Sequence, residues 1–82
     1  MKFQTRVTVS LKDGVLDPQG KTIGNALMEL GFGNILKVNT GKVFTLEIEA
    51  ETESEATQAA SDAASKLLAN PVIEQFKVEV IL

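Results

Sequence analysis

Apolar and polar residues alternate along the first stretch of the chain. Phe3, Thr5, Val7, Val9 and Leu11 fall on one face, and Gln4, Arg6, Thr8 and Ser10 on the other. A period of two carried by β-branched residues predicts a half-buried strand over 3–11. Asp13-Gly14 then turns the chain. Asp17-Pro18 reads as a helix start, because an Asp side chain can accept from orphan amides and Pro suits the first helical position. Ile23, Ala26, Leu27 and Leu30 recur at spacings of three and four, which predicts one apolar stripe, and Gly31 is a natural stop. Gly20 and Gly24 each weaken a helix by about 1 kcal/mol relative to Ala. They predict either a fraying start or a close approach of this backbone to a neighbour.

Residues 35–50 read as extended again. Leu36 and Val38 share parity with Phe44, Leu46, Ile48 and Ala50, and Asn39-Thr40-Gly41-Lys42 between them has turn chemistry. The pattern favours a hairpin of two strands over one long strand bent at Gly41. Thr52-Glu53-Ser54-Glu55 is a capping box, in which Thr52 and Glu55 satisfy each other's amides. The helix after it is the clearest element: Ala56, Ala59, Ala60, Ala63, Ala64, Leu67 and Leu68 form its stripe, and Asn70-Pro71 ends it. A stripe made mostly of Ala lets such a helix lie close to a sheet. A last strand is predicted from about 74 to 82, with Phe76, Val78, Val80 and Leu82 inward. The order is β-α-β(β)-α-β. One-sided strands argue for an antiparallel or mixed sheet with both helices on one face, an α+β two-layer sandwich of ferredoxin-like type.

Size and composition narrow what this fold can do. The chain has 82 residues, which reads as a single domain over 1–82 that buries only roughly 60% of its unfolded surface. Domains this small commonly add a disulfide, a metal or a partner. With no Cys and no His, disulfides, thiolate sites and the commonest metal ligand are excluded. Association is the reinforcement that remains. The balance is mildly acidic, 8 basic against 11 acidic residues. Scattered lysines and a lone Arg6 do not make the clustered basic surface that nucleic acid requires. No apolar run approaches the ~20 residues of a membrane span. The alternating N-terminus lacks the continuous apolar stretch of a signal peptide, so the chain reads as cytoplasmic.

The candidate chemistry is thin. Without His, Cys or Tyr, most general bases and nucleophiles are missing. Ser10, Ser54, Ser61 and Ser65 sit in no nucleophile-elbow pattern and read as solvated or capping hydroxyls. Gly20-Lys21-Thr22 resembles the end of the G-x-x-x-x-G-K-[ST] phosphate loop. However, the leading glycine position falls on Val15, Gly14 comes one residue too early, and Pro18 lacks an amide. Gly31-Phe32-Gly33 follows a helix, the reverse of a dinucleotide fingerprint. Glu47 and Glu49 share a strand face, and Glu51, Glu53 and Glu55 cluster after it. A solvated face and favourable charge at a helix N-terminus account for them.

Ferredoxin-like domains host unrelated functions, so the site must decide. The strand aromatics Phe3, Phe44 and Phe76 have the parity of the buried face, not that of a base-stacking platform. Residues 12–17 carry no Arg, as an acylphosphatase-like loop would. A regulatory domain of the ACT type survives better, since backbone groups near Gly14 and Gly20 could hold a small ligand. Two classes remain: an interaction subunit, or a small-molecule-binding regulatory module.

Leu11-Lys12-Asp13-Gly14-Val15-Leu16-Asp17-Pro18-Gln19-Gly20 resembles the first signature loop of the PurS family, small subunits of phosphoribosylformylglycinamidine synthase in purine biosynthesis. Ala26-Leu27 and Leu30-Gly31-Phe32 follow at the family's distance. Gly41-Lys42 leading into Leu46-Glu47-Ile48 resembles its central segment, and Leu67 through Glu74 its second signature. Gly24-Asn25 departs from the family pattern, where better helix formers are usual. The resemblance spans essentially the whole chain. It implies a non-catalytic subunit that holds together a large ATP-dependent synthetase subunit and a glutaminase subunit and helps ammonia pass between them. It also implies a homodimer or higher, no cofactor on this chain, and ATP and Mg on the large subunit. Asp17, Pro18, Gln19, Asn70 and Pro71 shape exposed loops, where partner contacts usually sit, and are the candidate contact residues.

Overall fold

The computed structural model describes residues 1–81; the inward position expected for Leu82 lies outside them. Alternation over the first stretch produces β1, Lys2–Leu11, the central strand of a three-stranded antiparallel sheet. On one side it pairs with β2, Gly41–Glu49, in a register that sets Phe3 opposite Ile48, Thr5 opposite Leu46 and Val7 opposite Phe44. On the other side it pairs with β3, Glu74–Val80, setting Val7 opposite Val78 and Val9 opposite Phe76. The parity read from the sequence holds in all three strands. Thr5, Val7 and Val9 are buried, and the Thr5 hydroxyl donates to the Leu46 carbonyl at 3.2 Å.

Helix α1 spans Pro18–Glu29, with Asp17 as its N-cap and Pro18 in its first turn. It stops as expected at Gly31, whose φ of +99° favours a residue without a Cβ. The Gly31 amide donates to the Met28 carbonyl at 3.1 Å and the Phe32 amide to the Leu27 carbonyl at 3.0 Å, a Schellman arrangement. Helix α2 spans Glu53–Ala63. The Thr52 hydroxyl oxygen accepts from the Glu55 amide at 3.1 Å, while the Glu55 carboxylate reaches back to the Glu51 amide, one residue earlier than the capping box anticipates. The helix then widens into a π turn over Ala64–Leu68, closed by the Ala69 amide donating to the Ala64 carbonyl at 2.9 Å. Ala56, Ala60 and Ala64, spaced four apart, are fully buried, and Ala60 and Ala64 cluster with Val7 and Val9. Ala59 and Leu67 are not part of that row: both are exposed, Leu67 at 83%.

The architecture is the anticipated α+β, ferredoxin-like arrangement, with three strands. The hairpin over 35–50 does not form. Residues 35–40 join no ladder, and the strand begins only at Gly41. The reason is local. The Thr40 amide and hydroxyl are taken by Asp17, and Val38 packs beside α1 at Gly20 and Gly24, so this segment faces a helix rather than another strand.

Helix α2 covers the inner face of the sheet, touching all three strands, whereas α1 has no comparable packing on it. The predicted α1 stripe is correspondingly open. Gly20 is the one buried residue of this helix, and Ile23, Ala26 and Leu30 are exposed. The shape follows. A compact chain of this length would have a radius of gyration of about 12 Å, but this one measures 16.1 Å, with extents of 51 × 26 × 14 Å. A small body of sheet and α2 carries α1 as an arm.

The row of Ala against Val leaves no room for larger groups. Replacing Ala60 by Leu should destabilise the chain by about 1–3 kcal/mol through overpacking, read from the urea midpoint, while Ala59→Leu on the exposed side should change it little.

Candidate functional site

Loop 12–17 is tightened by the Val15 amide donating to the Lys12 carbonyl at 3.2 Å, with Gly14 at a φ of +84°. It delivers Asp17 to the start of α1. One Asp17 oxygen, Oδ1, accepts from the Gly20 amide at 2.8 Å, an ordinary helix cap. The other, Oδ2, accepts from the Thr40 amide at 2.8 Å, and the Thr40 hydroxyl lies 3.0 and 3.1 Å from the two oxygens. A half-buried carboxylate thus ties the helix start to the entry of β2. The Thr40 amide, then the Gly20 amide, hold its carboxyl below the ordinary value, and partial desolvation opposes them. Gly20 makes the approach possible, since a Cβ there would meet the Val38 carbonyl oxygen. The close approach anticipated from these glycines is real at Gly20, and the neighbour is the chain's own segment before β2.

The second signature is a rigid turn. The Asn70 Oδ1 accepts from the Val72 amide at 3.0 Å, the Asn70 carbonyl from the Glu74 amide at 2.8 Å, and the Glu74 Oε1 from the Asn70 amide at 2.7 Å. The other Glu74 oxygen lies 3.8 Å from the Lys42 ammonium. Lys12 joins this turn to the first loop. Its ammonium donates to the Pro71 carbonyl at 2.7 Å, and its amide to the Ile73 carbonyl at 2.8 Å. Two segments nearly sixty residues apart therefore form one end of the molecule, a long-range pairing that residue spacing could not reveal.

The five candidates divide between two settings. Asp17 is half-buried and held by its own chain, whereas Pro18, Gln19, Asn70 and Pro71 are exposed. Lys12, Thr40 and Gly20, which organise the loops, were not among the candidates, although Lys12 and Gly20 lie in the first signature loop and Thr40 in the turn segment 39–42. A groove of about 490 Å³ lies between loop 12–17, α1 and residues 35–40, with Lys21, Asn25, Lys37 and Asn39 among its lining. Gly20, one of the residues an ACT-type site would offer to a ligand, is already covered by Val38. Around this region Leu16, Leu30 and Leu36 are exposed, Leu36 at 93%. Lys21-Thr22 lie in the first turns of α1, and the Thr22 hydroxyl donates to the Pro18 carbonyl at 3.0 Å rather than lining a phosphate loop. Glu47 accepts from the Gln4 amide group at 3.0 Å, and Glu49 lies 3.5 Å from the N-terminal ammonium. Among the described residues, no group of three or more acidic side chains could hold a metal ion.

The family model described as PurS, phosphoribosylformylglycinamidine (FGAM) synthase, matches residues 4–81. The PurS subunit of this synthase from Methanocaldococcus jannaschii is 40% identical over 78 residues, covering 95% of this chain and 94% of that protein. The corresponding subunit from Archaeoglobus fulgidus is 44% identical over 72 residues, covering 88% and 90%. Among solved structures, that of PurLQS from Thermotoga maritima contains a chain superposing with a TM-score of 0.91 at 33% identity, over 99% of each chain.

The clasp at Asp17 has a definite pH signature. Its folded value is depressed, so the stabilisation is complete above the unfolded value of 3.8 and is lost as pH falls through the lower folded value. An NMR titration of the Asp17 carboxyl should give a midpoint below 3.8, and a midpoint at or above it would contradict the clasp.

Proposed function

Because this chain belongs to the PurS family, whose members are subunits of phosphoribosylformylglycinamidine synthase in purine biosynthesis, we propose that it is a small, non-catalytic subunit working by association. In this reading it bridges the large ATP-dependent synthetase subunit and the glutaminase subunit in the cytoplasm and assists ammonia transfer between them. Glutamine hydrolysis belongs to the glutaminase, and ATP and Mg to the large subunit. The chain itself is a homodimer or higher. The observation that carries the association reading is the open arm: α1 and the residues after it leave Leu30, Phe32 and Leu36 exposed on a molecule much longer than its chain length requires. The exposed positions Pro18, Gln19, Asn70 and Pro71 are the proposed contacts with the other subunits.

Reconstitution tests this directly. Mixed with the large and glutaminase subunits from the same source, the chain should co-elute with them and restore glutamine-dependent amidine formation. Full activity without it would defeat the assignment. On the arm, Leu30→Glu with Leu36→Glu should raise the concentration for self-association by tenfold or more in sedimentation equilibrium, given about 1.5–3 kcal/mol for each large apolar side chain fully covered.

A further inference from the structure

A helix cap at Asp17 needs one acceptor oxygen, and this residue supplies two, to two different segments. The second oxygen and the Thr40 contacts reach across 23 positions of chain. Thr40 immediately precedes Gly41, which is paired with Ser10 of the central strand. Through Thr40, the start of α1 is therefore referenced to the sheet, on which α1 has no packed face of its own. The helix meets this segment at three places: Asp17 with Thr40, Gly20 under Val38, and Gly24, midway along the helix, beside the Val38 side chain. Twelve residues at 1.5 Å each make an arm of about 18 Å, so a ~10° pivot at the braced end moves the far end by about 3 Å. Apolar contact is lost over a smaller displacement than that.

We propose that Asp17 is a positioning residue: together with Thr40 and Gly20 it braces α1 in one pose against the sheet, and that pose sets the geometry in which the chain associates. The proposal rests on the association reading given above and deepens it. It gives Asp17 a role distinct from partner contact, since both carboxylate oxygens are already engaged by its own chain.

Asp17→Asn separates brace from cap. Asparagine keeps one oxygen for the Gly20 amide but turns an NH2 group toward the Thr40 amide. The full-length variant should keep wild-type helix content and lose no more thermal stability than the wild-type chain loses when acid protonates the clasp. Its self-association, and the concentration at which it supports amidine formation with the two larger subunits, should weaken about tenfold, the scale of one charge-assisted hydrogen bond. Thr40→Ser should restore wild-type behaviour where Thr40→Val is impaired. Gly20→Ala, whose Cβ would meet both the Val38 carbonyl oxygen and the Asp17 carboxylate and so disturb the brace from the helix side, should reproduce the Asp17→Asn defect. Undiminished association by Asp17→Asn, with only Asp17→Ala impaired, would show a mere cap and overturn the brace alone. A wild-type chain that neither self-associates nor joins the other subunits would overturn the association reading and the brace with it.

Discussion

The structure depends on how little this chain can bury deeply. Among the described residues the fully buried side chains are no larger than Val7, Val9 and Thr5, and Val7 and Val9 cluster with Ala60 and Ala64. Ala lets α2 sit close on the central strand, and dispersion rewards that closeness, but each methyl removes little apolar area from water. The larger apolar residues, Phe44, Leu46, Ile48, Leu68 and Phe76, are half-buried at the margins of this cluster. Burial scales with apolar area, so a core of this kind leaves the chain short of what a domain of its length gains by enclosing Leu and Phe. Apolar surface on α1 and beyond it stays in water for the same reason: α2 occupies the sheet face, and the arm has no sheet of its own to cover.

The two signature loops serve the fold before they serve any partner. Asp17 caps and clasps, Asn70 turns the chain on itself, and Lys12 bridges the loops through two carbonyls. Their polar groups are largely satisfied internally, which makes a rigid end rather than a reactive one. Rigidity suits association, since surfaces already ordered lose less entropy on binding. The side chains left over at this end, Pro18, Gln19 and Pro71, have fixed backbones beneath them.

Much of the fold was legible in the sequence because it is written locally. Period two set the faces of all three strands, Asp17-Pro18 and Gly31 marked both ends of α1, and Thr52 marked the start of α2. What failed depends on partners distant in sequence. The parity of Leu36 and Val38 fits a strand, but whether a ladder forms was decided by Asp17 capturing Thr40 from 23 residues away. The α1 stripe was read correctly as apolar, but the pattern did not show that it lies open, because amphipathicity shows that a face needs covering and not whether the same chain covers it. The π turn at Ala64–Leu68 moved Leu67 outward, a one-residue shift that regular periodicity cannot anticipate.

Gly20 and Gly24 bring these threads together. Judged by helix propensity they are poor choices, each costing about 1 kcal/mol against Ala in a helix that buries almost nothing else. A helix needing intrinsic stability would carry Ala at both positions. At Gly20, Ala would drive a Cβ into the Val38 carbonyl and part the helix from the segment that Asp17 holds. The chain therefore gives up helix stability to gain a defined approach between α1 and the entry of β2. That exchange makes sense for an element whose direction matters more than its independent persistence, which is what the proposed brace at Asp17 requires of this arm.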